Sequence, residues 1–346
     1  MTNHPEPART HAQASERLAR MIGGYLFTQA LHVAVKLRLA ELLTPEPREL
    51  EDLARAAGAE PRALKRLLRA LSSEGVFAET EDGRWTLTPE AELLRSGAPG
   101  ALGAWAELAG EECVWHPWGA GVESVRTGRP AFEQTLGMPP YAWFAAHPQV
   151  AHVFHEALAG EVRAFAPALV EACRLQEIAH VVDLGGGRGE LLGAALNKYS
   201  RLQGTLCEHP AVLEMARATL QRAGLLERCA LLGGDFLEMA PADADAYVLM
   251  RVLHNLNDPH AARLLSRLRE KITCPAARLL CIEKVVPDDL GPAAVKFGDL
   301  NMLVLHGGQE RTQAEFRVLL ASEGWKLNES RAAAGGYTVL ESTPSI

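Results

Sequence analysis

A histidine set just past an apolar run is the residue of this chain best suited to chemistry. Leu249-Met250-Arg251-Val252-Leu253 reads as a buried strand that ends at His254, with Asn255-Leu256-Asn257-Asp258 after it. In an α/β sheet the ligand crevice opens at the carboxyl ends of the strands, so a proton acceptor is well placed there. Imidazole suits that task because it changes protonation state near neutrality. A structural or capping histidine is the other reading of the same residue.

A second signal lies about sixty residues earlier, in Val181-Val182-Asp183-Leu184-Gly185-Gly186-Gly187-Arg188-Gly189, a strand running into a glycine-rich turn. Glycines let a ligand approach the backbone at a helix N-terminus, where side chains would collide with it. The turn lacks the Gly-Lys-Ser/Thr ending of a phosphate loop, which argues against a bound triphosphate. About twenty-five residues further on, Glu208 ends a second strand, placed to accept hydrogen bonds from a ribose diol or simply solvated at the strand end. A third strand ends in Gly233-Gly234-Asp235-Phe236, which offers an acceptor for an exocyclic amine and an aromatic face for a purine. One sheet carrying all of these points to group transfer from a nucleotide-type cofactor.

The elements that must position them alternate. Strands near Val181, Leu206, Ala230, Ala246 to Leu249 and Arg278 to Ile282 are separated by helices from Gly189, Ala211 and Pro259, which implies a parallel sheet with crossover helices. Trp325 to Glu329 and Tyr337 to Glu341 are too close in sequence for a crossover and should pair antiparallel. Upstream, helical patterning over Arg17 to Leu43, Glu49 to Ala57 and Arg62 to Glu74 precedes two short β-like pieces joined through Asp82-Gly83, the order of a winged helix-turn-helix. Arg62, Lys65, Arg66 and Arg69 raise a DNA reading, but they equally form the solvated face of a helix whose other side is leucine. Residues 101 to 176 read as further helices rich in aromatics, most of them core and some suited to the wall of a pocket for a flat substrate. His147, His152 and His155 lie close together, but no carboxylate or cysteine completes a ligand set, and no metal is expected there.

With 346 residues and 48% hydrophobic composition the chain can fill two domains. No apolar window approaches a membrane span and Met1 to Ser15 is polar, so a soluble, cytoplasmic protein is expected. Six cysteines without a Cys-x-x-Cys pair read as thiols in a reducing compartment, and a net charge of −8 opposes a polyanionic partner. Nucleic acid and membrane are not expected partners.

The ordered set Val182-Asp183-Leu184-Gly185-Gly186-Gly187, Glu208-His209-Pro210, Gly234-Asp235-Phe236, Arg251-Val252-Leu253-His254 and Gly307-Gly308-Gln309-Glu310-Arg311-Thr312 resembles the S-adenosylmethionine-dependent small-molecule O-methyltransferases with a winged-helix dimerisation domain. These include plant caffeate and flavonoid enzymes, the animal acetylserotonin enzyme and bacterial antibiotic-tailoring enzymes, and the resemblance runs from about residue 17 onward. It implies an α/β fold: a Rossmann-like methyltransferase sheet with a C-terminal antiparallel hairpin, plus a mainly helical N-terminal winged-helix domain that makes a homodimer. The implied division is a disordered tail over 1–16, the dimerisation domain over 17–98, a helical linker and pocket wall over 99–176 and the cofactor-binding catalytic domain over 177–346. By the resemblance His254 is the general base, flanked by Glu283 and Glu310. Asp183, Gly185, Gly187, Glu208, Asp235, Phe236 and Arg251 hold the cofactor, and Trp115, Phe154, Leu158, Asn301 and Met302 face the substrate. Salt-bridged acids are the other reading of Glu283, beside Lys284, and of Glu310, beside Arg311.

The function so implied is methylation of a phenolic or enolic hydroxyl on a small aromatic or polyketide-like metabolite, without a metal. A phenol of pKa near 10 is a poor nucleophile until its proton leaves, which gives an imidazole its purpose. Many relatives follow the histidine with Asp-Trp, whereas this chain has Asn255-Leu256. The alternative is a relative that binds the same cofactor but hydroxylates, decarboxylates or rearranges; loss of the base marks such proteins, and His254 argues against it. A nicotinamide oxidoreductase would share the glycine turn but not the Arg251 to His254 or Gly307 to Thr312 motifs. A transcription regulator is the non-enzymatic alternative, which a DNA-binding assay on the N-terminal segment separates.

Overall fold

The computed structural model describes residues 10–98, 100–234, 243–291 and 293–345, which form two compact units dividing between Glu111 and Glu112. The first begins with α1 (His11–Ile22), closed by a capping box in which the Thr10 hydroxyl accepts from the Gln13 amide and the Gln13 side chain accepts from the Thr10 amide. The disordered tail expected over 1–16 therefore needs correction: 11–16 is helix, and 1–9 lies outside the described residues. α2 (Gly24–Lys36), α3 (Leu39–Leu42), α4 (Leu50–Ala57) and α5 (Pro61–Ser72) follow, then the antiparallel pair β1 (Ala78–Glu79) and β2 (Trp85–Thr86), then α6 (Pro89–Glu92) and α7 (Gly103–Ala109). Leu39, Leu53, Leu64, Leu68, Phe77 and Trp85 make its core, and Arg62, Lys65, Arg66 and Arg69 point to solvent from the opposite face of α5. Leu18, Met21, Ile22, Tyr25, Leu26 and Val33 are exposed along α1 and α2, next to an open groove of about 520 Å³ lined by Met21, Phe27, Leu31, Leu71 and Val76. Ala34 of α2 packs into the unit's own core.

The second unit starts with α8 (Glu112–Gly119), α9 (Gly121–Thr127), α10 (Phe132–Leu136), α11 (Pro140–Ala146) and the long α12 (Pro148–Cys173). Next come β3 (His180–Leu184), α13 (Glu190–Lys198), β4 (Gln203–Glu208), α14 (Pro210–Arg222), β5 (Cys229–Gly233), β6 (Ala246–Met250), α15 (Asp258–Lys271) and β7 (Arg278–Lys284). α16 (Ala294–Leu305), α17 (Gln313–Ser322), β8 (Trp325–Ala332) and β9 (Tyr337–Pro344) complete it. Among the described residues the strands form one seven-stranded sheet in the order β5-β4-β3-β6-β7-β9-β8, the first five parallel and β9 antiparallel to both neighbours. Both faces are covered: Val248 and Met250 of β6 join one core, Tyr247 and Leu249 the other, so the strand reads as continuous apolar sequence. The strand order reverses beside β3, so the carboxyl ends of β3 and β6 open next to each other. No described helix is long and apolar enough to cross a membrane, and no described cysteine is in a disulfide.

Candidate active site

β3 delivers the chain into the glycine turn. Gly185 and Gly187 both adopt positive φ, 70° and 57°, and the Gly185 amide donates to the Cys207 carbonyl of β4 at 2.8 Å. Gly186 is needed for space, since a Cβ there would stand 2.4 Å from both Asp183 Oδ2 and Leu206 Cδ1. Asp183 lies beneath the turn, buried, with Oδ1 unpartnered; burial, with the charge of Glu208, pushes its carboxyl up to about 7. Glu208 stands at the end of β4 with Oε2 accepting from the Gly187 amide at 2.9 Å and Oε1 from the His209 amide at 2.7 Å. A carboxylate has about four lone-pair positions, so it retains acceptors for a diol. Backbone without side chains, a buried acid below it and an acid at the next strand end fit a ribose-bearing cofactor. Asp235 and Phe236 lie outside the described residues.

β6 delivers the second half. Arg251 takes a left-handed φ of 54°, and a short 3-10 turn, Leu253–Asn255, swings His254 inward until it is 4% exposed. Its Nδ1 lies 2.8 Å from Glu310 Oε1, and Glu283 Oε1 accepts from the amides of Val252 at 3.1 Å and Leu253 at 2.9 Å. Donor atoms of His254, Glu283 and Glu310 all fall within 4.8 Å of one another. Burial, joined by the Glu310 charge, pushes Glu283 up to about 8; burial also lowers His254, against the Glu310 hydrogen bond that raises it. Near neutrality the imidazole is neutral and Glu283 holds a proton. The second carboxylate oxygens of Glu283 and Glu310 are both buried without a partner.

A family model described as an O-methyltransferase domain matches residues 118–326, and one described as an O-methyltransferase dimerisation domain matches 19–97. Phenazine O-methyltransferase PhzM of Lysobacter antibioticus is 40% identical over 331 residues, 95% of this chain and 96% of that protein. The structure of the mitomycin 7-O-methyltransferase MmcR superposes with a TM-score of 0.90 at 34% identity, over 96% of this chain and 98% of that one. That of the O-methyltransferase NcsB1 from neocarzinostatin biosynthesis, solved with S-adenosylmethionine and 2-hydroxy-5-methyl naphthoic acid, gives a TM-score of 0.79 at 28% identity, over 92% and 96%.

The chain belongs to the O-methyltransferase family. As a member it is an S-adenosylmethionine-dependent enzyme with the class's mixed sheet and helical N-terminal unit. The methyltransferase's Gly307–Thr312 segment shows why each residue type stands there. Gly308 lies so close to the His254 turn that a Cβ would sit 2.1 Å from the His254 carbonyl oxygen. Arg311, fully buried, donates to the carbonyls of Leu253 and Leu256, both at 2.9 Å, and pairs with Asp258 at 2.8 Å. Glu310 is held by its amide donating to Asp299 Oδ1 at 2.9 Å, and Thr312 caps α17. Asn255 donates from Nδ2 to the Arg251 carbonyl at 2.9 Å and so braces the strained turn.

Of the residues expected to face the substrate, Asn301 Oδ1 accepts from Trp118 Nε1 at 2.9 Å, and α16 packs against α8, the helix of Trp115. Phe154 stacks on Phe144 at 4.5 Å, Leu158 is half-buried on the same helix and Met302 is buried in α16. Three further residues interact with these groups or with each other, and of them only Tyr141 was among the aromatics read as core or pocket wall. Tyr141 of α11 is 65% exposed. His306, 6.5 Å from the Tyr141 ring, is lowered to about 4 by burial and by the charges of His254 and Arg251. Glu161 of α12 pairs with Arg251 at 2.8 Å. His306 and Glu161 stand outside the quoted motifs and were not singled out from the sequence.

Proposed function

We propose that His254 is the general base for methylation of a phenolic or enolic hydroxyl on a small planar metabolite, and that the reaction needs no metal. The observation that carries this is the 2.8 Å contact between His254 Nδ1 and Glu310. A neutral imidazole donating from Nδ1 keeps Nε2 as an acceptor, so Glu310 fixes the tautomer that can take a proton and stabilises the imidazolium that results. Glu283, protonated and holding the Val252 and Leu253 amides, orients the turn without competing for the proton. With one imidazole nitrogen given to Glu310 and Glu283 neutral, proton transfer suits the cluster better than metal ligation.

The cofactor, when bound, supplies an electrophilic methyl group on a sulfonium. Gly185 and Gly187 present bare backbone to it, Glu208 accepts from its ribose, Asp183 supports the turn from below, and Arg251 lies beside it; Asp235 and Phe236 are assigned to its adenine. On the acceptor side Phe154, Leu158, Trp115, Asn301 and Met302, with Tyr141 and His306, are the wall residues. Alignment in a dry cleft supplies roughly 7 to 11 kcal/mol and the base roughly 10²- to 10⁴-fold. The exposed α1–α2 face makes the enzyme a homodimer, and six thiols outside any disulfide suit a reducing cytoplasm.

The test is His254→Ala with a phenol of pKa near 10 as acceptor. Turnover should fall roughly 10²-fold or more while S-adenosylmethionine affinity is retained, and a chelator should leave the wild-type rate intact. An unchanged rate between about pH 6 and 8 would remove the base assignment.

A further inference from the structure

The mechanism leaves out a buried acid that touches both sides of the site. Glu161 lies midway along α12, and its side chain is 13% exposed. Oε2 meets Arg251 at 2.8 Å, while Oε1 meets Lys284 Nζ at 2.7 Å and accepts from the Tyr337 hydroxyl at 2.9 Å. Those partners come from three strand ends: Arg251 follows β6, Lys284 ends β7 and Tyr337 begins β9. Arg251 and Lys284 each flank a catalytic residue, three positions before His254 and one after Glu283.

We propose that Glu161 is a positioning residue for the base: one carboxylate holds both cations beside His254, and so fixes the electrostatic field in which the imidazole gains and loses its proton. Around His254 stand Glu310, Glu283, Lys284, Arg251, His306 and Arg311. After burial and the Glu310 hydrogen bond, Arg251 and Lys284 are the groups that disfavour the imidazolium, and Glu161 is a partner of both. Glu161 is itself held ionised: burial pushes its carboxyl up, but the Arg251 and Lys284 charges and the Tyr337 hydroxyl bring it below the ordinary carboxylate range. An unscreened pair of cations would make the imidazolium harder to form and His254 a weaker base. Two independent ion pairs could neutralise the cations separately; a shared acid also fixes the distance between the Arg251 turn and the Glu283 strand.

This rests on His254 as base, so the experiment reads the imidazole itself. The full chain, labelled with ¹⁵N-histidine and without added cofactor, is titrated by NMR, and His254→Ala identifies the resonance. Glu161→Gln, which keeps shape and loses charge, should move the His254 titration to lower pH by about one unit, the effect of one nearby charge at an effective dielectric near 20. Lys284→Gln should move it the opposite way, and Tyr337→Phe, which alters no charge, should leave it in place. The acid limb of turnover should follow each shift. Should Glu161→Gln fail to fold, Glu161→Asp keeps the charge but draws it back, and a smaller downward shift is expected. Lowered thermal stability with an unmoved titration in the Glu161 variants would reduce Glu161 to a structural ion pair and overturn the proposal. Normal turnover in His254→Ala would instead remove the base reading, while the titration shifts would still stand.

Discussion

Glu283 carries the unusual ionisation at the residue scale. A carboxyl with a folded value of about 8 binds its proton more tightly than the unfolded chain does, at about 4.3. The linked stability is fully present below the unfolded value and is lost as pH rises through the folded one, so it drains between about pH 4 and 8. Glu283→Gln mimics the protonated acid and escapes that loss. Its melting temperature should exceed that of the wild type increasingly from pH 5 to 8 and run parallel above about 8.5; a constant offset across the range would mean that Glu283 is ionised throughout. His254 shows what was legible at this scale. Its position past an apolar strand was plain, but its contact with Glu310 spans 56 residues and came only through family resemblance. Glu161 was not legible at all, because its partners lie 90 and 123 residues away and α12 otherwise reads as an ordinary apolar helix.

Among the elements, the loop between α16 and α17 presses on the turn after β6, and Gly308 is where they meet. Adding a methyl at 2.1 Å from the His254 carbonyl oxygen forces one backbone to move, since neither is a flexible side chain. Gly308→Ala should cost about 1 to 3 kcal/mol of stability, as overpacking does, and should lower turnover more than cofactor affinity, because the glycine turn belongs to other strands. Calorimetry and steady-state kinetics check both; full activity would show that the base tolerates displacement. The strands and the crossover helices α13, α14 and α15 were legible from alternation and apolar runs, including the antiparallel β8–β9 pair, whereas α16 and α17 were not read from the sequence. The start of α1 was missed although Thr10 and Gln13 spell a capping box, since the polar segment around them looked unstructured.

At the scale of the molecule, the exposed apolar face of α1 and α2 should set the oligomeric state. Leu18, Met21, Ile22, Tyr25 and Leu26 are each more than half exposed, an apolar stripe of the kind a monomer rarely leaves to water. The wild type should scatter light as a dimer at micromolar concentration, and Met21→Asp with Leu26→Asp should shift it to monomer with the sheet's circular dichroism intact; a monomeric wild type would refute the interface. α7's membership of the first unit is a matter of packing that no motif marks. The order of strands also governs how the enzyme is made. β9 lies between β7 and β8 and pairs Thr338 with Glu283 and Tyr337 with Lys284. While a ribosome is still upstream of residue 337, the apolar Leu279–Ile282 stretch has an open edge with its backbone unpaired on one side, the kind of surface that invites aggregation. Glu283, beside the His254 turn, is therefore secured only when nearly the whole second unit has been synthesised, so a nascent chain has all the residues of the glycine turn well before the strand that carries Glu283 is paired on both sides.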